Sequence, residues 1–359
     1  MTDSKTIGVL TSGRDCAGLN AVIRAVTHRA IEGYGWRVLG IHEGTQGLMR
    51  RPVDYQELTL EIFTGNILRM GGTILGTTNR GDPFAFPMPD GTKRDRSDEI
   101  IEGYRMLGLD ALIVIGGDGS LDIARRIAVQ GGLNLIGIPK TIDNDVGAIE
   151  NAIGFGTAVD VATEALDRLQ PTAASHNRLM VLEVMGCDAG HIALAMDISG
   201  GADVILIPEI GYLIEGIATK IRSLRERGRN FALVAVAEAV KTVDGDTVTV
   251  AGGESHLGGI GHYLGDRIAE ATEAETRVTV LGHTQRGGAP APRDRLFARA
   301  FGVHAVDLIA EGRFDRMVEP AMLQCAAAGC NRRASGRRFC RNAGQHRPRT
   351  RHLYRRLNS

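Results

Sequence analysis

The chain has 359 residues, of which 42 are basic, 42 are acidic and 43% are hydrophobic. These values exclude a fibrous or wholly disordered protein and predict one or two ordinary globular domains. Only 4% of the residues are aromatic, while 47 are glycine. That balance is typical of α/β enzymes, whose aliphatic strands alternate with tight turns.

The first half of the chain alternates short β-branched apolar runs with longer amphipathic segments. Strands are predicted at residues 7–10, 111–115 and 135–138, and helices at residues 20–30 and 121–129. This order is the βαβ pattern of a parallel sheet.

A second series of the same kind follows. Helices are predicted at residues 157–169, 214–227 and 293–308, and strands at residues 179–184, 204–207, 231–237 and 277–281. We therefore predict an α/β fold with two doubly wound, Rossmann-like lobes built on parallel sheets. In such folds, ligands bind at the carboxyl ends of the strands.

The expected compartment is the cytoplasm, with no membrane partner. No apolar run approaches the roughly 18 residues that span a bilayer, and the first ten residues lack the basic and apolar stretches of a signal peptide. The cysteines are odd in number and scattered, which argues against a secreted disulfide framework. They are Cys16, Cys187, Cys325, Cys330 and Cys340.

A Gly/Asp turn at residues 116–120 follows a predicted buried strand and opens a predicted helix. Its glycines let the backbone approach a phosphate, and the helix start offers unpaired N–H donors. Asp118 can then hold a magnesium ion through one carboxylate. By itself the motif also fits a generic strand-to-helix turn, and the chain contains neither a P-loop nor a dinucleotide fingerprint.

The segment at residues 139–145 places Asp143 and Asp145 two residues apart, beside Lys140 and Thr141. Such crowding of charge is costly without a ligand or a cation. One aspartate can therefore act as the base for a substrate hydroxyl. An acidic turn that only caps a helix is the alternative at this point.

Together these motifs resemble the 6-phosphofructokinase family, and they occur in the family's order. They lie at residues 11–21 (TSGRDCAGLNA), 71–76 (GGTILG), 116–120 (GGDGS), 139–145 (PKTIDND), 183–186 (EVMG) and 281–288 (LGHTQRGG). The resemblance covers about residues 5–316 and implies the phosphofructokinase fold. It implies a phosphoryl-donor lobe at residues 1–154 plus 285–316 and a fructose 6-phosphate lobe at residues 155–284.

The resemblance also implies a role for each matching residue. Asp143 would be the base that takes the proton of the sugar 1-hydroxyl, with Thr141 and Asp145 shaping its site, and Asp118 would handle Mg²⁺. The residues that would line the phosphoryl donor are Gly13, Arg80, Gly117, Asp118, Gly119, Ser120 and Lys140.

On the sugar side, the residues that match the fructose 6-phosphate pocket are Met185, Gly186, Glu238 and His283, and those that match its phosphate clamp are Arg178, Arg277 and Arg286. In the family this clamp combines arginines of two subunits. The resemblance therefore implies a homotetramer whose substrate site is shared between subunits.

The resemblance favours ATP as the phosphoryl donor. Gly119 leaves room for the α-phosphate of a nucleotide, where family members that use pyrophosphate usually carry aspartate. Lys140, in contrast, is usual in pyrophosphate enzymes. A pyrophosphate-dependent phosphofructokinase is therefore the alternative.

Three positions depart from the family pattern. Arg14 replaces a glycine beside the donor phosphates, Cys187 replaces an arginine at the transferring group, and Arg80 lies one place beyond the usual arginine. Loss of one transition-state donor costs about 10²- to 10³-fold in rate. A second alternative is therefore a catalytically weak family member that binds sugar phosphates.

The last part of the chain, residues 317–359, departs from the family altogether. From residue 325 onwards it contains ten arginines and no Asp, Glu or Lys, and it lacks an apolar period that could support folding. We expect a disordered or aberrant tail, as a shifted reading frame would produce. A zinc site of Cys325, Cys330, Cys340 and His346, or arginines that bind phosphate, are weaker alternatives, and nucleic acid is not expected as a partner.

Overall fold

A computed structural model describes residues 4–147, 149–245, 259–319 and the backbone of residues 337–338. The chain divides into two compact units. Unit 1 holds residues up to 141, residues 146–154 and the described residues from 286 onwards. Unit 2 holds residues 142–145 and the described residues between 155 and 285.

The elements up to residue 154 are β1 (Thr6–Ser12), α1 (Leu19–Tyr34), β2 (Arg37–Ile41), α2 (Thr45–Met49), β3 (Tyr55–Glu57), β4 (Phe86–Pro87), β5 (Lys93–Arg94), α3 (Ser97–Met106), β6 (Ala111–Gly116), α4 (Asp118–Gly131), β7 (Leu135–Thr141) and β8 (Ile153–Gly154). They are followed by α5 (Phe155–His176), β9 (Leu179–Val184), α6 (His191–Gly200), β10 (Val204–Leu206), α7 (Ile214–Glu226), β11 (Ala232–Ala237), α8 (Ile260–Thr272), β12 (Thr276–Val280), α9 (Pro292–Ala310), β13 (Arg316–Met317) and β14 (Arg337–Arg338). Short 3₁₀ turns lie at Leu60–Phe63, Ile67–Arg69, Pro83–Ala85 and Gly282–Arg286.

The main sheet of unit 1 has the strand order β14-β13-β7-β6-β1-β2-β3, with β8 paired to the end of β7. Its central strands are parallel, and the outer pairs β2–β3 and β13–β14 are antiparallel. Ser12 of β1 is level with Gly116 of β6, and Gly116 is level with Pro139 of β7. The order reverses between β1 and β6, so the carboxyl ends of three neighbouring strands meet where doubly wound sheets bind ligands.

The sheet of unit 2 has the order β10-β11-β9-β12, and all its strand pairs are parallel. Every residue of β9 and of β11 is buried, because helices cover both faces of a parallel sheet. Val184 at the end of β9 is level with Ala237 at the end of β11. The turns that follow these two strands therefore lie side by side.

The predicted fold class is confirmed, and all twelve predicted strands and helices are present. Most of their ends shift by a few residues, but α5 continues to His176, through Pro171, instead of ending at residue 169. The prediction omitted several elements, among them α8. Gly261 and Gly265 weaken its helical pattern, but added Cβ atoms there would lie 3.2 Å and 2.6 Å from side-chain carbons of Val278. Glycine therefore permits close packing of α8 on β12 at the cost of helix propensity.

The predicted boundary of the tail after residue 316 lies too early. Met317 is level with Gly137 of β7, and Val318 is fully buried. The sheet continues through β13, which covers the edge of β7. Residues 320–336 and 339–359, which include the cysteines of the zinc alternative, lie outside the described residues. The prediction of disorder stays a prediction for them.

Within the described ranges, no helix combines the length and the hydropathy needed to cross a membrane.

One half-buried carboxylate of unit 2 makes folding depend on pH. Burial raises the pKa of Asp197 in α6 from 3.8 to about 6, and its Oδ1 has no hydrogen-bond partner among the described residues. Between these two pKa values the folded state holds the proton more tightly than the unfolded chain does. The free energy of unfolding therefore falls as pH rises through this window, and the loss is complete above about pH 6.

We expect Asp197→Asn to stabilise the protein at pH 8 by about 1 to 2 kcal/mol, a value discounted for the partial exposure of the carboxylate. At pH 4 the gain should be close to zero, because Asp197 is then largely protonated. Urea unfolding at the two pH values measures the difference. The exposed Asp266 of α8 provides the control, since Asp266→Asn should give no pH-dependent gain. Equal gains at both pH values would contradict the assignment.

Candidate active site

The turn after β1 supplies the first part of the site in unit 1. Gly13 adopts a φ of +86°, which favours glycine. Its amide donates to the carbonyl of Thr78 over 2.9 Å, and its own carbonyl accepts from Thr77 Oγ1 over 2.7 Å. These two contacts fix the turn from both sides.

The motif at residues 71–76 braces the same strand end. Thr11 Oγ1 donates to the carbonyl of Gly76 over 2.6 Å and lies 3.1 Å from Thr73 Oγ1. A Cβ atom on Gly71 would collide with the carbonyl oxygen of Gly288. The motifs at residues 71–76 and 281–288 are therefore in close backbone contact, and a side chain at Gly71 would prevent this contact.

Ser120 and Lys140 converge on Gly13. A Cβ atom at Gly13 would lie 2.9 Å from Ser120 Oγ and 3.3 Å from Lys140 Nζ. Lys140 is buried, and its ammonium donates to the carbonyl of Arg14. The ends of β1, β6 and β7 thus place a hydroxyl and a buried positive charge at one backbone turn, a combination that suits a phosphate.

The start of α4 adds backbone donors to this edge. Gly117 precedes the helix, and among the described residues no side chain caps it. A Cβ atom at Gly119 would meet nothing within 4 Å. The first amides of α4 and the positive end of its dipole therefore lie at an open approach.

Asp118 is the first residue of α4 and is exposed. Mg²⁺ is usually bound in proteins by one or two carboxylates together with substrate phosphates. One exposed carboxylate beside a turn suited to a phosphate fits that pattern, and Asp118 is the residue that would hold the ion.

Arg14 and Arg80 are exposed near this turn. Arg80 follows Thr78 by two residues, and its carbonyl is 3.4 Å from Thr78 Oγ1. The structure therefore places both on the loops around Gly13. The side chain of Arg14 is exposed, while its backbone carbonyl accepts a hydrogen bond from the ammonium of Lys140.

Arg286, predicted for the sugar phosphate clamp, belongs to unit 1. It is buried, and its Nη1 donates to the carbonyl of Asp15 over 3.1 Å. Its Nε and Nη2 have no partner among the described residues. A buried guanidinium with two open donors is costly unless an anion or water completes it.

In unit 2 the turn after β9 gathers most of the residues predicted for the sugar pocket. The amide of Met185 donates to Gln285 Oε1 over 2.7 Å. The amides of Gly186 and Cys187 donate to Glu238 Oε1 over 3.3 Å and 2.8 Å. Glu238 follows β11, so its carboxylate ties the two neighbouring strand ends together.

Asp143 lies in unit 2, two residues after β7 ends at Thr141. Asp143 is only 6% exposed, whereas Asp145 is half-buried. Asn144 between them has a φ of +53°, which asparagine tolerates better than most residues. The aspartates therefore sit in a sharp turn, with the first of them withdrawn from bulk solvent.

The end of β7 is held by two residues that the sequence analysis did not single out. Thr141 is level with Gly154 of β8, and the amide of Gly154 donates to Oδ1 of the buried Asp294 over 3.1 Å. Cys16 Sγ donates to the carbonyl of Ile153 over 3.4 Å, and burial raises the pKa of Cys16 to about 12. Asp294 and a protonated Cys16 therefore anchor the strand that pairs with Lys140 and Thr141.

Arg178 and Arg277 are not brought to the sugar-pocket residues of their own chain. Both pair with Glu275, Arg178 over 2.8 Å. Arg178 precedes β9, and Arg277, the second residue of β12, is level with Met180 of β9. Both therefore lie near the amino ends of the strands, about 20 Å along β9 from Met185. His283 is exposed in the 3₁₀ turn Gly282–Arg286.

The described geometry defines an α/β protein whose unit 1 has a strand edge suited to a phosphate and whose unit 2 has a polar turn and a buried aspartate. The sequence model of the family described as Phosphofructokinase matches residues 6–309. The chain therefore belongs to the phosphofructokinase family.

Named relatives and a solved structure agree with this assignment. The chain is 65% identical over 320 residues to ATP-dependent 6-phosphofructokinase 1 of Synechocystis sp., covering 89% of this chain and 88% of that protein. It is 61% identical to ATP-dependent 6-phosphofructokinase 1 of Nostoc sp., covering 89% of each chain. The phosphofructokinase structure from Saccharomyces cerevisiae superposes with a TM-score of 0.72 at 31% identity, covering 86% of this chain and 42% of the yeast chain.

Proposed function

We propose that this protein is an ATP-dependent 6-phosphofructokinase, which transfers the γ-phosphoryl group of ATP to the 1-hydroxyl of D-fructose 6-phosphate in glycolysis. The products are fructose 1,6-bisphosphate and ADP. The observation that carries the proposal is the arrangement along the end of β7. Lys140 meets the Gly13 turn, and two residues beyond Thr141 the chain presents the buried Asp143. The printed names of the two cyanobacterial relatives support the same activity.

The donor is assigned to the strand edge of unit 1. Backbone N–H groups at Gly13 and at the start of α4, together with Ser120 Oγ and Lys140 Nζ, would bind the phosphates. Asp118 would hold Mg²⁺, which, when bound, neutralises charge on the phosphate oxygens. The open space at Gly119 leaves room for the rest of a nucleotide.

Asp143 is the residue assigned to the proton. Its carboxylate accepts the proton of the 1-hydroxyl as the sugar oxygen forms its bond to the γ-phosphorus. The bond from that phosphorus to the bridging oxygen breaks, and the electron pair leaves on ADP. Because phosphoryl transfer depends on positioning and charge more than on covalent catalysis, buried and fixed groups are the expected machinery.

The sugar phosphate is assigned to the turn after β9. Met185, Gly186, Glu238 and His283 would contact fructose 6-phosphate. Arg178 and Arg277 lie at the far ends of the strands in their own chain, so we propose that they complete the site of a neighbouring subunit in a homotetramer. By its match to the family's clamp, Arg286 is assigned to the same phosphate. We assign the protein to the cytoplasm from the scattered cysteines.

A coupled assay of the full chain with fructose 6-phosphate and Mg²⁺, run with ATP and then with pyrophosphate, tests the proposal. We expect turnover with ATP and none with pyrophosphate. Turnover with pyrophosphate that disappears in Lys140→Gly would assign the other donor. Inactivity with both donors, from protein shown to be folded by circular dichroism, would indicate a family member that only binds sugar phosphate. In that case, restored activity in Cys187→Arg would identify the missing arginine as the cause.

A further inference from the structure

His191 contacts the segment that carries Asp143. This histidine is the first residue of α6, and its Nδ1 lies 3.1 Å from the backbone carbonyl oxygen of Asp143. A carbonyl oxygen only accepts hydrogen bonds, so Nδ1 must carry the proton. Both the imidazolium and the neutral ring protonated at Nδ1 can make this contact.

The hydrogen bond from His191 restrains the peptide group that follows Asp143. The carbonyl of Asp143 belongs to the peptide that joins it to Asn144, and Asn144 is in the left-handed region with a φ of +53°. Rotation of that peptide would change the backbone angles on both sides and thereby move the Asp143 side chain. Fixing the carbonyl therefore restricts where the carboxylate can lie.

His191 is itself held firmly at the start of α6. The amide of Gly190 donates to Glu209 Oε1 over 3.0 Å, and a Cβ atom at Gly190 would lie 2.5 Å from Ile207 Cβ. The carbonyl of Gly190 accepts from the amide of Leu194 over 2.9 Å. The imidazole therefore projects from a backbone that is packed closely against its surroundings.

The same loop carries the turn assigned to the sugar. Only four residues separate Gly186 from His191 along the chain, and the carbonyl of Gly186 accepts from the amide of Ala189 over 2.9 Å. This local bond makes the segment between β9 and α6 one compact loop. One end of the loop is tied to Glu238 through the amides of Gly186 and Cys187, and the other end contacts Asp143.

We propose that His191 is a positioning residue for phosphoryl transfer, which fixes the Asp143 peptide relative to the sugar-binding turn after β9. This inference rests on the proposed function, because it takes Asp143 as the base. His191 does not react itself. It acts through the backbone of Asp143, and its contribution should appear in the chemical step rather than in substrate affinity.

Three variants of His191 separate positioning from simple packing. In asparagine the amide nitrogen is bonded to Cγ, as Nδ1 is in histidine. In glutamine the amide nitrogen lies one bond further from the backbone, as Nε2 does in histidine. His191→Asn can therefore keep the bond to the Asp143 carbonyl, while His191→Gln and His191→Ala lose it. We expect kcat to fall about 10- to 100-fold in the Ala and Gln variants and to recover to within about 3-fold of the wild type in the Asn variant. The KM values for fructose 6-phosphate and ATP should change by no more than about 2-fold.

The exposed His262 of α8 provides the matched control, since His262→Ala should leave kcat unchanged. Equal kcat values for the Asn and Gln variants at equal thermal stability would overturn the proposal, and so would a loss confined to KM. The Asn and Gln comparison decides the question even if the Ala variant is less stable. Absence of kinase activity in the wild-type chain would instead count against the proposed function, so the two failures are distinguishable.

Discussion

Replacing Asp143 by Asn is expected to lower kcat by about 10²- to 10⁴-fold, the usual contribution of a general base. Asn has nearly the same shape and keeps one acceptor oxygen, but it cannot take a proton at neutral pH. Because Asp143 is buried, bulk water is poorly placed to replace it. Initial rates at saturating ATP and fructose 6-phosphate measure the effect, and KM for the sugar should change little.

The exposed Asp160 of α5 is the control for this prediction. Asp160→Asn removes one negative charge from the same unit and should leave kcat within experimental error. A decrease shared by both variants would indicate a general effect of charge. Full activity in Asp143→Asn would exclude this aspartate as the base and direct attention to Asp145.

The second large effect is expected at the donor turn, where Gly13→Ala should lower kcat/KM for ATP by about 10²-fold or more. The new methyl group would lie 2.9 Å from Ser120 Oγ and 3.3 Å from Lys140 Nζ, at a φ of +86° that alanine resists. The turn must shift, and both groups assigned to the phosphates must move with it. The effect should fall mainly on ATP, which titrations at fixed fructose 6-phosphate will separate from any change in sugar binding.

Gly132 offers a control for backbone strain. It also has a positive φ, +64°, at the end of α4, but an added Cβ atom would meet nothing within 4 Å. Gly132→Ala should therefore lower the free energy of unfolding by about 1 kcal/mol without changing KM for ATP. If the two variants lose ATP affinity equally, strain rather than the geometry of the phosphate site is responsible.

The anchoring of β8 shows how the fold serves the site. Asp294 and Cys16 both hold the short strand that pairs with Lys140 and Thr141. A buried carboxylate is expensive unless its hydrogen bonds are satisfied. Asp294, in the first turn of α9, therefore serves to fix the end of β8 more than to improve packing.

Much of this protein could be predicted from the sequence because the relevant information is local. The apolar period identified β1, β6, β7 and β9, and the glycines after β1, β6 and β9 marked the turns that follow these strands. Parallel strands also predicted a ligand site at their carboxyl ends, and the resemblance to the family implied that Gly13, Ser120 and Lys140 would line one donor site there. Their convergence in unit 1 agrees with that expectation.

The tertiary structure alone decided which distant groups make contact. His191 lies 48 residues from Asp143, and Asp294 lies 140 residues from Gly154. No periodicity or turn signal specifies such pairs, because they depend on how helices pack against the sheets. The same packing places Arg286 in unit 1 against Asp15 and leaves Arg178 and Arg277 at the amino ends of their strands. The sequence by itself therefore determined the local conformations of the strands and turns. Only the tertiary structure decided which partners the buried polar groups have, because these groups must pair with one another once folding removes water from them.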